Sequence, residues 1–303
     1  MKSIVAGGAG LLGREITRGL LDSGHAVTVA SRSKPAANRA DARAQWVEAD
    51  VTSPATLLSA LEGFDAVVDA VQFPNSPIEN PKKGYTFERI DLGGTKNLVD
   101  AAKAVGTPQF IGLSGVGAAA DAPYHWLRYK WQEEQHILAS GLNYTIFRPS
   151  WIYGPDDVSL NRFLGFANWL PFIPVIGDGK TRINPLFVSD LADHVAAAVG
   201  NPAAANRLFE IGGPTVLTMD QVIRTALGVA GKKRLLLHNP KPLMKLVASV
   251  IQHAPGRPLT PDAIDFITQD GIADTTALTQ VFGLPLRSLE EGLATYLPRS
   301  KRA

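Results

Sequence analysis

The 303-residue sequence contains no cysteine. This absence excludes disulfides, thiolate metal sites and a cysteine nucleophile. The sequence also lacks an excess of charge of either sign, because 30 lysines and arginines stand against 28 aspartates and glutamates, a formal net charge of only +2. Charge therefore indicates no nucleic-acid partner. With 45% hydrophobic and 19% charged residues, the composition is that of an ordinary globular chain.

Long hydrophobic runs are missing as well. The longest apolar stretch, Leu160 to Gly177, is broken by residues such as Arg162 and Pro171, so it lacks the roughly 20 apolar residues that a membrane-spanning helix needs. The apolar run after Lys2 soon meets glycines, which is too short for a signal-peptide core. Six histidines form no i, i+4 pair and no cluster with acids, so no metal site is expected. A cytoplasmic protein without a transmembrane segment fits these absences best.

Short β-rich runs alternate with helical patterns through the first half of the chain. The predicted strands are Ser3–Ala6, Ala26–Ala30, Trp46–Ala49, Ala66–Ala70, Phe110–Leu113 and Tyr144–Phe147. Leu12, Ile16 and Leu20 recur every four residues and predict the first helix. This order predicts a doubly wound α/β fold with a parallel Rossmann sheet over residues 1–155. Residues 156–303 are expected to form a smaller substrate lobe, with some segments returning to the first domain.

A glycine-rich loop follows the first predicted strand directly. It reads Gly-Gly-Ala-Gly-Leu-Leu-Gly from Gly7 to Gly13 and opens the first helix. Glycines at these positions let the backbone approach a pyrophosphate, and the helix N-terminus offers free N–H groups. We therefore expect Gly7, Gly10, Leu11, Leu12 and Gly13 to bind a dinucleotide.

The end of the second strand bears on which dinucleotide binds. It reads Ser31-Arg32-Ser33-Lys34 and lacks the acidic residue that would hold the ribose hydroxyls of NAD. Arg32 and Lys34 can instead form charge-assisted bonds with a 2′-phosphate, which a carboxylate would repel. This pattern favours NADP(H), with Ser31, Arg32 and Lys34 as contacts. The alternative is a basic loop that is merely solvated.

The ends of the next two strands are expected to complete the cofactor site. Asp50 and Val51 end the third strand, where an adenine edge would lie, although Asp50 could equally cap its own loop. Ala70 and Val71, at the end of the fourth strand, are expected on the cofactor side.

Two later motifs carry a family resemblance. Residues 148–155 read Arg-Pro-Ser-Trp-Ile-Tyr-Gly-Pro, and residues 185–192 read Pro-Leu-Phe-Val-Ser-Asp-Leu-Ala. With the glycine loop, they resemble the extended and atypical short-chain dehydrogenase/reductases, most closely the branch related to the nucleotide-binding accessory subunit of respiratory complex I. The resemblance implies that Pro149 and Ile152 lie against the nicotinamide. It also implies that Ser114, ending the fifth strand, is the active-site hydroxyl, although such a serine is otherwise a turn former.

The catalytic helix departs from that family. The resemblance implies a tyrosine four residues before a lysine, so that an ammonium stabilises a phenolate on one helical face. Here Lys130 is present, but Trp126 stands in the tyrosine's place. Tyr124 and Tyr129 lie about a third of a turn away from the required direction. Asp91 stands where many relatives carry asparagine. Lys130 is therefore expected either to bind the nicotinamide ribose or to donate the proton itself.

These features predict an NADP(H)-dependent reductase of a small apolar carbonyl or conjugated double bond, with Lys130 and Ser114 as catalytic residues. The rival hypothesis is a catalytically silent NADP(H)-binding redox sensor or complex-assembly protein. A monomer or a homodimer is expected.

Three further patterns lie in the predicted second lobe. Residues 243–251 place apolar side chains on one helical face, which is expected to pack on the same lobe or a second subunit rather than on a membrane surface. The aromatic residues of 163–172 suggest either an apolar pocket or plain core. Asp190 is expected to cap the helix that follows it.

Overall fold

The computed structural model describes residues 1–254 and 259–297; the rest of the predicted 156–303 lobe lies outside these ranges. Its centre is a parallel sheet of seven strands in the order β11-β6-β5-β4-β1-β2-β3. The strands are β1 (Lys2–Ala6), β2 (Ala26–Ser31), β3 (Gln45–Glu48), β4 (Ala66–Asp69), β5 (Gln109–Leu113), β6 (Asn143–Pro149), β7 (Ile152–Tyr153), β8 (Phe172–Ile176), β9 (Arg182–Ile183), β10 (Leu186–Phe187), β11 (Arg207–Ile211), β12 (Leu217–Thr218) and β13 (Leu235–Asn239). The strand order reverses between β1 and β4, so the predicted doubly wound fold is confirmed.

Helices cover both faces of this sheet. They are α1 (Leu11–Asp22), α2 (Pro54–Leu61), α3 (Gly93–Ala104), α4 (His125–Ala139), α5 (Val158–Trp169), α6 (Val188–Ala198), α7 (Met219–Val229), α8 (Lys241–Ile251), α9 (Pro261–Ile267), α10 (Thr276–Phe282) and α11 (Leu289–Ala294). A π-helical segment, Phe87–Leu92, leads directly into α3.

The apolar periodicity of the sequence explains how the helices pack. Ile16 and Leu20 of α1 are fully buried against α6 and the sheet. On the opposite face, α2 and α3 bury Leu57 and Leu98 against the same strands. Strands covered on both faces read as nearly continuous apolar runs, as β1 and β4 do.

A second lobe follows β6. The small sheet of β8 and β13 packs with α5, α7 and α11 around a third apolar cluster. The chain then returns, because β11 pairs with β6 at the edge of the central sheet. In the ranges 1–254 and 259–297, no helix combines the length and apolarity needed to cross a bilayer.

The structure bears on three local expectations in this lobe. Asp190 lies inside the first turn of α6, where its carboxylate accepts from the Arg287 backbone N–H at 2.6 Å, so it is not the N-cap. Of the aromatic residues of 163–172, Phe163 and Phe166 pack against the third apolar cluster, as the plain-core alternative predicts, while Trp169 is 89% exposed. The apolar face of α8 is exposed rather than packed on its own lobe, and its packing on a second subunit stays a prediction.

Candidate functional site

The carboxyl ends of the central strands meet along one edge of the sheet, and most of the predicted site residues lie there. The positions that follow or end successive strands are Gly7, Arg32, Asp50, Ala70, Ser114 and Pro149. This is the edge where open parallel sheets bind ligands, beside the point at which the strand order reverses. Tertiary structure therefore brings together residues that the sequence spreads over more than 140 positions.

The glycine loop is closely packed except at one position. Gly7 has a φ of 76°, and a Cβ there would lie 2.6 Å from the Ala70 carbonyl oxygen. A Cβ on Gly13 would clash with Gly7 and lie 2.6 Å from the Gly8 Cα. A Cβ on Gly10, in contrast, would meet only the Gly7 oxygen, at 3.3 Å. Gly10 therefore borders open space that a ligand can occupy.

The N-terminus of α1 faces this space. Gly10 is its N-cap residue and makes no side-chain cap, and the first turn holds no acidic side chain. The first-turn N–H groups and the positive end of the helix dipole thus suit a pyrophosphate. Leu12 and Ile152 each contact two apolar clusters: the one between α1, α6 and the central sheet, and the third cluster in the second lobe. These two residues place the loop at the junction of the two lobes.

At the end of β2 the predicted contacts differ in role. The Ser31 hydroxyl donates to the Ser33 carbonyl at 2.8 Å and accepts from the Trp46 indole at 3.0 Å, so it holds the turn. Arg32 is exposed, and its guanidinium carbon lies 5.8 Å from the centre of the Tyr85 ring. Lys34 is exposed as well. Two cations are thus available beside the turn, where the NAD-type carboxylate is missing.

Residues that follow β3 and β4 make contacts that stabilise the edges of the site. Asp50 Oδ1 accepts from the Thr52 N–H at 2.9 Å and from its hydroxyl at 2.8 Å, the loop cap that the sequence allowed. The Val51 carbonyl accepts from Asn97 of α3 at 2.7 Å. Val71 packs between the core cluster around α2 and α3 and an aromatic cluster.

Lys130 lies at the centre of a buried group of charges. Its Nζ donates to Glu133 Oε2 at 2.9 Å and to the Leu113 carbonyl at 3.3 Å, and lies 3.8 Å from Asp91 Oδ1. Asp69, at the end of β4, accepts from Thr95 at 2.6 Å. The carboxyls of Asp69, Asp91 and Glu133 are all buried.

One ammonium cannot neutralise three carboxylates. Burial raises the pKa of Asp69 and raises that of Asp91 well above its usual range. Burial also raises the pKa of Glu133 from 4.5 to about 7, against the opposing effect of Lys130. Burial by itself would lower the pKa of Lys130, but the charges of Glu133 and Asp91 outweigh it and raise the pKa. We infer a cluster that keeps Lys130 charged and makes its carboxyls bind protons more tightly than exposed carboxyls do.

Sequence reasoning identified Lys130 and noted Asp91, but it missed Glu133 and Asp69. The spacing of Glu133, three residues after Lys130, could have revealed it, because such residues are neighbours on a helix. Asp69 is the last residue of β4, so its strand-end position was a signal too. Glu134 forms a separate pair with Arg148, with two bonds of 2.6 and 2.7 Å.

Ser114 completes the arrangement around Lys130. It follows β5, and its N–H donates to the Phe147 carbonyl at 2.8 Å. Its hydroxyl oxygen is buried and, among the described residues, has no hydrogen-bond partner; the same is true of Glu133 Oε1. Both residues line one narrow gap, together with Asp69 and Thr95. The gap is too narrow to hold a water molecule, so these unsatisfied buried polar atoms suit the passage of a proton rather than the binding of a ligand.

Trp126 is a packing residue. It is 3% exposed, its ring stacks on Tyr124 with centroids 4.6 Å apart, and it contacts Phe266 of α9 at 5.6 Å. An indole N–H is a donor without useful acidity near neutral pH. The position one turn before Lys130 therefore contributes no proton.

Comparisons with known proteins bear on the family and the fold. The sequence profile of a family described as NAD(P)H-binding matches residues 7–163. Subunit 9 of the NADH dehydrogenase 1 alpha subcomplex of Arabidopsis thaliana is 28% identical over 56% of this chain and 43% of its own length. The photosystem II assembly factor Ycf39 of Cyanophora paradoxa is 35% identical over 49% of this chain and 44% of its own length. The chain thus spans about half the length of these two relatives.

Two further similarities cover more of the chain. An NAD(P)H azoreductase of Xenophilus azovorans is 26% identical over 76% of this chain and 74% of its own length. The solved UDP-glucose 4-epimerase of Thermotoga maritima has a TM-score of 0.75 at 18% identity, covering 98% of this chain and 97% of that chain. At that identity, the structural likeness shows the fold alone.

Proposed function

Because the chain belongs to the NAD(P)H-binding family, we propose that it is an NADP(H)-dependent reductase. Its motifs resemble the atypical branch of the short-chain dehydrogenase/reductases. The proposed substrate is a small apolar carbonyl or conjugated double bond. We also propose that the protein is cytoplasmic and acts as a monomer or a homodimer.

The choice of NADP(H) rests on the end of β2. The exposed guanidinium of Arg32 lies beside the turn, with Lys34 two residues further on. A 2′-phosphate would form charge-assisted hydrogen bonds there. Residues 7–13 fit the pyrophosphate, because the Gly10 position is open and the α1 N-terminus has no side-chain cap.

The observation that carries the reductase proposal is the buried charge cluster around Lys130. When bound, the reduced nicotinamide supplies a hydride, so the protein must supply only one proton to the substrate. Lys130 is poorly suited to release it, because Glu133 and Asp91 raise its pKa. Lys130 suits a fixed positive charge for the nicotinamide ribose. Ser114, with its free buried hydroxyl, suits the substrate oxygen.

Glu133 is the better source of the proton. A general acid works best when its pKa lies near the working pH, and burial raises the pKa of this carboxyl to about 7. Its free oxygen and the Ser114 hydroxyl line the same gap. We therefore assign proton supply to Glu133 acting through Ser114, in place of the phenol that Trp126 replaces.

The test combines cofactor identification with a substrate screen. The purified protein is denatured and the released nucleotide identified by mass spectrometry, and NADPH oxidation is then followed with a panel of carbonyls and enones. We expect NADP(H) to be retained, Lys130→Ala to weaken NADPH binding, and Glu133→Gln to reduce turnover much more than NADPH affinity. Retention of NAD(H) would contradict the cofactor assignment. Turnover unaffected by Glu133→Gln would contradict the proton assignment.

A second candidate function is a silent NADP(H)-binding sensor or assembly protein. Trp126 favours it, because the usual acid is absent, and one relative carries the name of an assembly factor. This candidate predicts tight NADPH binding with no oxidation of NADPH by any member of the panel. Lys130→Ala would then change binding alone.

A further inference from the structure

The second lobe exposes much apolar surface near its small sheet. Trp169 at the end of α5 is 89% exposed, and Leu235 at the start of β13 is 77% exposed. Leu237 is on the same side of β13 as Leu235, and Leu236 between them packs toward the third apolar cluster. Contiguous exposed apolar surface marks interaction sites more often than isolated residues do.

In helix α8, which follows β13 through Pro240, the lysines face the protein and most of the large apolar side chains face the solvent. Lys241 and Lys245 point toward α9, where their ammonium groups lie 3.0 and 2.8 Å from the Asp265 carboxylate. Ala248 is the buried residue of the helix. The exposed large side chains are Leu243, Leu246, Val247 and Val250. They recur at i, i+3, i+4 and i+7, so one whole apolar face points outward while cations face the protein.

Basic residues border the exposed indole. Lys232 donates to the side chain of the residue before Trp169, and Arg234 Nε donates to the carbonyl of the residue after it at 2.8 Å. Lys233 between them is exposed. These hydrogen-bond partners are neutral amide and carbonyl groups, so they do not neutralise the positive charge of residues 232–234. Leu235 follows directly, so indole, leucine and cations are adjacent.

We propose that this lobe docks on the surface of a bilayer that contains anionic lipid. The docking surface consists of Trp169, Leu235, Leu237, Leu243, Leu246 and Val250, with the basic residues 232–234. An outward apolar helix face suits the boundary between headgroups and acyl chains, and an exposed tryptophan suits the headgroup level. Anionic headgroups attract the basic residues.

A second copy of the chain fits less well. A two-fold interface buries the same patch of both subunits, so two copies of residues 232–234 would enter one interface in which the docking surface offers no acidic residue to pair with them. Like charges in such an interface are unfavourable. An anionic bilayer provides opposite charge instead.

Flotation with vesicles tests this proposal on the full chain. Vesicles of phosphatidylcholine alone are compared with vesicles that also contain phosphatidylglycerol. We expect flotation with the anionic vesicles only, weakened by added salt because exposed charges are screened. Trp169→Ser and the double variant Leu246→Ser/Val250→Ser should each lower the bound fraction about tenfold or more at limiting lipid. Lys232→Glu/Lys233→Glu should abolish the preference for anionic lipid.

Matched controls separate docking from general surface effects. Leu58→Ser/Leu138→Ser removes exposed leucines of the first domain, and Lys82→Glu/Lys83→Glu reverses two other exposed lysines; both should float like the wild type. Circular dichroism and NADPH affinity should be unchanged in all variants. Failure of the wild type to float, or equal flotation of docking and control variants, would overturn the proposal. So would a wild-type dimer that ignores vesicles and is split by Leu246→Ser/Val250→Ser.

Discussion

Glu133→Gln should change how the free energy of unfolding depends on pH. The carboxyl of Glu133 is 3% exposed, and burial raises its pKa from 4.5 to about 7 in the folded protein. The folded state therefore holds this proton more tightly than the unfolded state. From this group alone, the free energy of unfolding falls as the pH rises from about 4.5 to beyond 7. At 1.36 kcal/mol for each pKa unit, the full loss is about 3 kcal/mol.

Glutamine keeps the shape of the protonated carboxyl and cannot ionise. Between about pH 5 and about pH 8, the unfolding free energy of the variant should therefore fall by up to about 3 kcal/mol less than that of the wild type. A residual slope should remain, because burial also raises the pKa values of Asp69 and Asp91. Lys130 does not contribute in this range, since its pKa is raised above 10.5 and its contribution to stability is lost only as the pH rises toward that raised value.

Urea unfolding at constant ionic strength measures this effect across the pH range. Glu48→Gln, which removes an exposed carboxylate at the end of β3, serves as the control and should follow the wild type. Parallel profiles for the wild type and Glu133→Gln would refute the argument that this carboxyl holds its proton near neutral pH.

Four other predictions concern the cofactor, the glycine loop and the missing phenol. NADPH should bind at least tenfold more tightly than NADH, a difference of about 1.4 kcal/mol, and Arg32→Ala should remove most of it; equal affinities in wild-type calorimetry would contradict the assignment. Gly10→Val should abolish nucleotide binding with little change in the unfolding temperature, because a Cβ there meets only one atom within 4 Å. Gly13→Ala should instead destabilise the protein, by about 1–3 kcal/mol, because its Cβ clashes with the loop; similar unfolding temperatures for the two variants would count against this contrast. Trp126→Tyr should place a phenol one turn before Lys130 and raise ketone reduction; rapid alcohol oxidation by the wild type, unaffected by Lys130→Ala, would show that the helix register is wrong.

Local sequence signals determined the first half of the fold. The predicted strands agree with β1 to β6 within one or two residues, and Ile16 and Leu20 are buried as their spacing predicts. Apolar periodicity and the strand, glycine loop and helix order act over a few residues, so they can be recognised without knowing the rest of the structure. The missing acid after β2 and the missing phenol before Lys130 were visible for the same reason.

Only the tertiary structure decided the charges and the surfaces. Asp69 and Glu133 line the same gap although they are 64 positions apart, and their pKa values follow from burial that no spacing reveals. Helix α6 begins at Val188, before Asp190, and the Asp190 carboxylate instead accepts from Arg287 across 97 positions. The periodicity of α8 predicted one apolar face correctly, but the direction of that face depended on Asp265 of α9, which draws the lysines inward. The sequence of an amphipathic helix determines that it has a polar and an apolar face, whereas long-range contacts determine which of the two meets water.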